Sequence, residues 1–419
     1  MPFNPKDPAF LEPATFNPAA KPKRYFTAKE FTGAGYYPSY APEVLPQIDP
    51  VDYPSLKLGD LAIGRHKGSF LRPCPATPVY NCCGLNIIHI GQGCPLGCRY
   101  CALASYLGSE AVIRFGNYPE GLNEIEAVLK VIERLEPREN LTLAPKTKAD
   151  NPTVPPTAKP PATEAPKPKL AGSPSPEPKP RSYRFCTGEF TDSLLYDQGF
   201  KVSEKLIALF KNYSKSVLEL KTKTASVNHL LSLDHGGRTV ISFSLNAPLM
   251  AEKLEPYAAP LSERIKAAKL AMTAGYPLGF HFDPIVYYPG FQEGYRQTAE
   301  MIDKANLWPQ IAWISLGCFR YQAPLKTHML AHNPSFLFDG EFILAHDGKY
   351  RYPRPLRILL YQTVLDSLKP YLDPKTTVYL CMESGRMWKD LLGFDPQTAG
   401  LTARFREPIL SRPFTPETL

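Results

Sequence analysis

Three cysteines fall within eight positions of this 419-residue chain: Cys94, Cys98 and Cys101, in the stretch GCPLGCRYCALASYLG from Gly93 to Gly108. Thiolates are soft ligands that suit zinc and iron–sulfur clusters. Structural zinc takes four ligands and usually shows paired Cys-x2-Cys knuckles. Here only Cys98 and Cys101 have that spacing, and the adjacent Cys82 and Cys83 are poorly arranged to chelate one ion. Three thiolates on a 4Fe–4S cluster leave one iron open, and an open coordination position marks a catalytic rather than a structural metal. The glycines around the first two cysteines let the backbone wrap closely around such a cluster.

A second stretch with chemistry in it is YRFCTGEFTDSLLYD, Tyr183 to Asp197. A Glu189 carboxylate beside an open iron would fix one end of a cationic ligand. The plainer reading is that Glu189, Thr191 or Asp192 caps the helix that follows. Cys186, in the same stretch, is either a reactive thiol or a small buried hydrophobe.

Positioning such residues requires a frame. Short apolar runs predict strands at Leu85–Ile90, Ala111–Phe115, Tyr183–Cys186, Val217–Thr222, Thr239–Leu245, Leu278–Asp283, Ile311–Leu316 and Thr377–Cys381. Amphipathic stretches between them include Leu122–Leu135 and Ser262–Ala274, the latter with Gly275 as a C-cap. Apolar strands alternating with helices belong to parallel sheets covered by helices. The expected fold is therefore α/β, a full or partial (β/α) barrel whose chemistry sits on the loops after its strands. The cysteine stretch lies on such a loop, after LNIIHI. His281 and Asp283, in GFHFDP, end a strand on the same rim, as a catalytic pair or as a satisfied polar pair.

Composition sets the outer bounds. Residues 1–65 are rich in Pro, Tyr and Phe and read as an extension wrapping a core made of 66–143 and 182–395, with a tail at 396–419. Residues 144–181 carry 12 of the 46 prolines and almost no large apolar side chain, which predicts a disordered or polyproline-like insertion. Of the net charge of +8, that segment holds +4, from 7 Lys/Arg against 3 Asp/Glu. The remaining +4 is compatible with a polyanion partner without arguing for one. Basic and aromatic residues interleave in KYRYPRPLR (Lys349 to Arg357) and around Arg320, clusters that are more often solvated loops than nucleic-acid sites. No run approaches the roughly 18 apolar residues of a membrane span. No basic segment followed by an apolar run opens the chain, and nine cysteines without a regular framework suggest reduced thiols in a cytoplasm. Cys74, Cys82, Cys83, Cys318 and Cys381 lack ligand spacing and are expected to be core thiols.

The Cys-x3-Cys-x2-Cys triplet resembles the signature of the radical S-adenosylmethionine (SAM) superfamily. The ordered set GCPLGCRYC, CTGEFTDSL, LKTKTASVNHLL, ISFSLNA and AGYPLGFHFDPIVYYPGFQEGY is similar to the spore photoproduct lyase family, from about Cys83 to Tyr295. The resemblance implies a 4Fe–4S cluster on Cys94, Cys98 and Cys101, with SAM on the open iron as precursor of a 5′-deoxyadenosyl radical. It places Gly188, Glu189, Lys223 and Ser244 near SAM. It makes Cys186 the hydrogen donor, and Tyr100 part of a tyrosine relay or a ring shielding the cluster. It also implies a DNA substrate bearing a thymine dimer, and an electron donor such as flavodoxin or ferredoxin. One position departs from the family: Ala102 stands where the lyase has the second relay tyrosine. The rival readings are a radical SAM enzyme for another modified base or small molecule, and a non-enzymatic zinc or iron–sulfur binding module.

Overall fold

The structure is a computed structural model that describes residues 61–103 (without 65, 67, 75–79 and 82), 112–134, 183–323, 325–326, 329, 340–394 and 396. The insertion at 144–181 and all but the edges of the terminal extensions lie outside the described residues. Among the described residues, the first strands are β1 (Leu61–Gly64), β2 (Leu71–Pro73), β3 (Asn86–Ile88), β4 (Gly91–Gln92) and β5 (Val112–Phe115). Then come β6 (Tyr183–Thr187), β7 (Ser216–Thr222), β8 (Thr239–Ser244), β9 (Leu278–Ile285) and β10 (Ile311–Cys318). The last are β11 (Arg320–Gln322), β12 (Ile343–Leu344), β13 (Lys349–Arg351) and β14 (Thr377–Leu380). The helices are α1 (Tyr118–Arg134), α2 (Asp197–Phe200), α3 (Val202–Phe210), α4 (Pro248–Leu254), α5 (Leu261–Thr273), α6 (Phe291–Lys304), α7 (Arg354–Leu368) and α8 (Gly385–Leu392).

The main sheet has eight strands in the order β14-β10-β9-β8-β7-β6-β3-β2. From β3 to β14 every pair is parallel, and β2 adds antiparallel to β3 at one edge. The barrel is thus partial. Among the described residues, its two ends touch through an isolated bridge, Asn81 to Glu383. Strands such as TVISFS and IAWISLGC are buried along their whole length, as parallel strands between a lumen and a helical layer must be. The period of two sends Leu218, Leu220, Ile241 and Phe243 into the hydrophobic core with Ile265, Ala268, Ala299 and Ile302 of the covering helices. It turns Arg184, Cys186, Glu219, Lys221, Ser242 and Ser244 to the other face.

All eight expected strands form, but Ala111–Phe115 does not join the barrel. As β5 it pairs with β1 and β4 in a separate three-stranded sheet. A four-residue apolar run carries no information about which sheet receives it. Helix α1 begins at Tyr118, four residues ahead of the expected Leu122. A third small sheet, β11-β13-β12, follows β10 and was not expected.

Candidate active site

A cavity of about 480 Å³ lies at the C-terminal ends of the parallel strands, where the fold class places chemistry. One wall is the cysteine loop. Cys94, Cys98 and Cys101 all line it. Gly97 sits at φ +61°, and a Cβ there would come within 2.8 Å of the Tyr257 ring, so the loop needs glycine to pack against the segment after α4. Two backbone hydrogen bonds seat it: Arg99 N–H donates to the Leu254 carbonyl at 2.8 Å, and Tyr257 N–H to the Leu96 carbonyl at 3.3 Å. The Tyr100 hydroxyl donates to the Glu255 carboxylate. Glu255 is paired with Arg264 at 2.5 Å and lies 4.0 Å from the Lys223 ammonium, which sits 5.7 Å from the Tyr100 ring centroid. Lys223 and Tyr100, far apart in sequence, therefore share one carboxylate.

The thiols are not poised by themselves. Burial pushes Cys94 up to about 12, with Asp192 and Cys101 adding to the effect. Burial and Glu255 raise Cys98 in the same way, partly opposed by Lys223. They hold protons at neutral pH unless a cationic group replaces them. Among the described residues, no three His, Cys, Asp or Glu side chains converge on a single metal ion. Three thiols of one loop that all line one cavity are a donor set that fits a 4Fe–4S group with one iron left open.

The opposite wall is built by strand ends. Gly188, at φ +90°, follows β6; a Cβ there would meet Ser193 Oγ at 2.6 Å and the Lys221 carbonyl at 2.9 Å. Glu189 lines the cavity 3.7 Å from the Lys221 ammonium. Burial opposes the Lys221 charge, but Glu189 and neighbouring groups outweigh it and its pKa is raised. None of Glu189, Thr191 and Asp192 caps α2, whose N-cap is Tyr196 without a side-chain bond; Asp192 instead ties the loop before it to the end of β7. Its Oδ1 accepts the N–H groups of Leu194 and Leu195, and its Oδ2 accepts that of Lys223 at 2.7 Å. Ser244 ends β8 on the cavity, and its carbonyl accepts from Arg264 at 2.9 Å. Cys186 is fully buried in the lumen-facing row between Arg184 and Gly188. Its Sγ donates to the Thr187 carbonyl at 2.8 Å, and it does not itself line the cavity.

Beneath the cavity floor lies a buried hub that sequence reading missed. Glu219, with no exposed surface, takes two bonds from Arg184 at 2.6 and 3.0 Å. Its other oxygen accepts from Ser242 (2.5 Å), His281 (2.8 Å) and Trp313 (2.8 Å). Burial works against its charge, yet Arg184 and His281 hold its carboxyl well below the usual range. Burial lowers the His281 pKa despite Glu219, so the ring serves as a neutral donor. Arg184 also donates to the Tyr379 hydroxyl at 2.7 Å, tying β6 to β14 across the lumen.

A spore photoproduct lyase family model matches residues 175–330. The spore photoproduct lyase of Bacillus subtilis (strain 168) is 28% identical over 219 residues, 52% of this chain and 51% of that protein. That of Geobacillus sp. (strain Y412MC61) is 37% identical over 94 residues, 22% of this chain and 28% of the relative. The chain thus spans about half or less of the length of these curated relatives. A solved spore photoproduct lyase complexed with dinucleoside spore photoproduct superposes with a TM-score of 0.57 at 20% identity, covering 76% of this chain and 82% of the other. The chain thus shares the fold of these lyase structures and is similar to the lyases in sequence over the matched segments. A mutant lyase structure with bound AdoMet and dinucleoside spore photoproduct matches equally well, at a TM-score of 0.57 and 19% identity.

Within this lyase-like fold, the basic candidates separate into two groups. Arg351 and Arg357 are buried and paired with Asp347 (2.6 Å) and Glu383 (3.0 Å), and Arg354 pairs with Asp390 at the surface. Arg320 and Lys349 line the cavity, with Arg320 3.3 Å from Asp283. His281 and Asp283 therefore belong to different partners rather than to one polar pair. The Tyr321 and Tyr350 rings stack at 5.3 Å beside them. Three of the cysteines expected in the core, Cys74, Cys83 and Cys381, also line the cavity, while Cys318 is buried as expected. Cys82 lies outside the described residues. The signal missed was that each follows or precedes a barrel strand. No helix among the described residues is long and apolar enough to cross a membrane.

Proposed function

We propose that this chain is a radical SAM enzyme of the spore photoproduct lyase type, a carbon–carbon lyase acting on a thymine dimer in DNA. The observation that carries the reading is the joining, in one cavity, of the three loop thiols with the charged strand-end wall. Cys94, Cys98 and Cys101 would hold a 4Fe–4S cluster and Glu189 the ammonium end of SAM; when bound, the pair supplies a 5′-deoxyadenosyl radical for hydrogen abstraction. Lys221, beside Glu189, keeps that carboxylate oriented toward the cavity. Gly188 lets the backbone turn there without a side chain in the way. Ser244 and Lys223 present a hydroxyl and an ammonium to the same ligand from adjacent strand ends.

Cys186 is the hydrogen donor in this reading. Its S–H bond is weaker than the C–H bonds of a nucleotide, so a thymine radical left by bond scission is quenched by transfer of that hydrogen. Tyr100, held by Glu255, is the retained half of the relay. Arg320 and Lys349 at the rim supply cations for phosphates, and the adjacent tyrosine pair supplies stacking surface for an extruded base. A flavodoxin- or ferredoxin-type donor in the cytoplasm would supply the electron.

The test is anaerobic. Protein reconstituted with iron and sulfide and reduced with dithionite is assayed for 5′-deoxyadenosine, with and without synthetic dinucleoside spore photoproduct. Conversion of the dimer to two thymines is the expected result. SAM cleavage without dimer conversion would redirect the substrate to another modified base or small molecule. A full cluster with no 5′-deoxyadenosine would sink the radical reading.

A further inference from the structure

Strand β5 carries a buried cation that neither wall of the cavity uses. Arg114 stands opposite Gly91 of β4 in the small sheet, and the adjoining Phe115 N–H donates to the Ile90 carbonyl at 3.3 Å. Cys94 follows Gly91 by three residues, so this sheet is the base from which the cysteine loop leaves. Arg114 is only 3% exposed and does not line the cavity. Its Nη2 donates to the Asp192 carbonyl at 3.1 Å and to the Leu195 carbonyl. Its Nη1 is buried and has no hydrogen-bond partner among the described residues.

The carboxylates around it are engaged elsewhere. Asp192 accepts three backbone N–H groups and the Thr222 hydroxyl, and Asp197 accepts the Ser203 N–H at 3.0 Å and pairs with His229 at 2.9 Å. A guanidinium keeps its proton in proteins, and burying one on carbonyls alone is costly. The thiol on which this charge acts is Cys94. Arg114 opposes the rise that burial and Asp192 impose on it, and Cys94 acts back on Arg114. The cation on the Cys98 side, Lys223, is offset by Glu255 at 4.0 Å.

We propose that Arg114 is the charge-compensating residue behind the Cys94 side of the cluster site, a fixed cation that favours the reduced cluster and so raises its reduction potential. The inference rests on the reading of Cys94, Cys98 and Cys101 as cluster ligands. A 4Fe–4S core on three thiolates is net negative, and net charge is one of the determinants of its potential. Reduction adds one electron from the external donor, and Arg114 gains or loses no proton in the step. Because Arg114 does not reach the cavity, it acts on the cluster through the low-dielectric interior and makes no contact with SAM or substrate.

The test compares the full-length wild type with Arg114→Gln, which keeps a donor for the carbonyls without the charge, and Arg114→Lys, which keeps the charge. Each is reconstituted anaerobically with iron and sulfide, without SAM. Iron per chain and circular dichroism are recorded, and the reduced cluster is followed by EPR through a mediated dithionite titration. Iron content is expected to match wild type in both variants. At the wild-type midpoint, the reduced-to-oxidised ratio of Arg114→Gln should fall about tenfold, a shift of about 59 mV to more negative potential for one electron. Arg114→Lys should recover most of it. Where Arg114→Gln fails to fold, Arg114→Lys decides alone. Raising the pH from about 7 to about 10 should strip the buried lysine's charge and lower its midpoint relative to wild type, whose guanidinium stays charged. An unchanged midpoint in Arg114→Gln, or the same shift in both variants at neutral pH, would overturn the proposal and leave the cluster reading standing. A wild-type chain that assembles no cluster would overturn that reading and this inference with it.

Discussion

The two walls of the cavity are built on opposite terms. The strand-end wall rests on a hub beneath it that is complete in itself: Glu219 accepts from Arg184, Ser242, His281 and Trp313, and its charge is matched by Arg184 on the neighbouring strand. The loop wall is not complete in itself. Cys94 and Cys98 carry protons because burial and nearby carboxylates disfavour their charge. One wall is held by the fold, while the other awaits a cationic group to become anionic. A buried ion pair specifies structure when both members are present, and a half-buried thiol trio on a cavity wall specifies an occupant.

The sharpest break between the walls is expected from Cys98→Ala. Cluster iron and 5′-deoxyadenosine should fall to background after anaerobic reconstitution, while circular dichroism and the unfolding midpoint of the metal-free protein stay near wild type. A collapse of the fold would mean that the loop wall is structural after all. Glu219→Gln should do the reverse. Leaving Arg184 buried without its carboxylate costs about 3–5 kcal/mol in urea unfolding, with iron content per folded molecule unchanged.

The same variant carries a pH signature. Glu219 titrates below its unfolded value of about 4.3, so the stability it contributes is full above that value and is lost as pH falls through the folded one. The gap between wild type and Glu219→Gln should therefore be constant from neutral pH down to about 5 and narrow below about 4. A gap that widened on acidification would mean Glu219 is protonated in the native state.

Smaller effects sharpen the boundary. Glu189→Gln removes the charge of one proposed ligand contact, worth roughly 1.5–3 kcal/mol for a charge-assisted bond. SAM affinity by equilibrium dialysis should drop at least about tenfold, with iron content unchanged. An unaltered affinity would return Glu189 to a surface partner of Lys221. The smallest change is expected from Ala102→Tyr, which adds a ring at the cavity edge beside Tyr100. SAM cleavage without substrate should not move, and any gain should appear only as a higher yield of repaired dimer per 5′-deoxyadenosine.

What could be read in advance follows from how local each signal is. The Cys94–Cys98–Cys101 spacing is contained in eight residues, and the parallel strands announce themselves as apolar runs, so both were legible. Strand β2 is three residues ending in Pro73, too short for any period to register. The Glu219 hub was illegible for a different reason: SVLELKT reads as an ordinary strand, and its partners lie 23 to 94 residues away. The roles of Glu189 and Asp192 were likewise undecidable: either carboxylate could have capped the next helix, but both line the cavity, Glu189 beside the Lys221 ammonium and Asp192 on backbone N–H groups.

The seat of the cysteine loop carries a consequence in time. The groups that hold it, the Leu254 carbonyl, the Glu255 carboxylate and the Tyr257 N–H, are made more than 150 residues after Cys101. At about 5–20 residues per second, a ribosome needs roughly 8–30 s to synthesise that interval. Throughout it the three thiols exist without their docking surface. Cluster insertion during translation would have to work on an unseated loop, so in the proposed reading a cluster would meet a finished pocket only late in synthesis or after release.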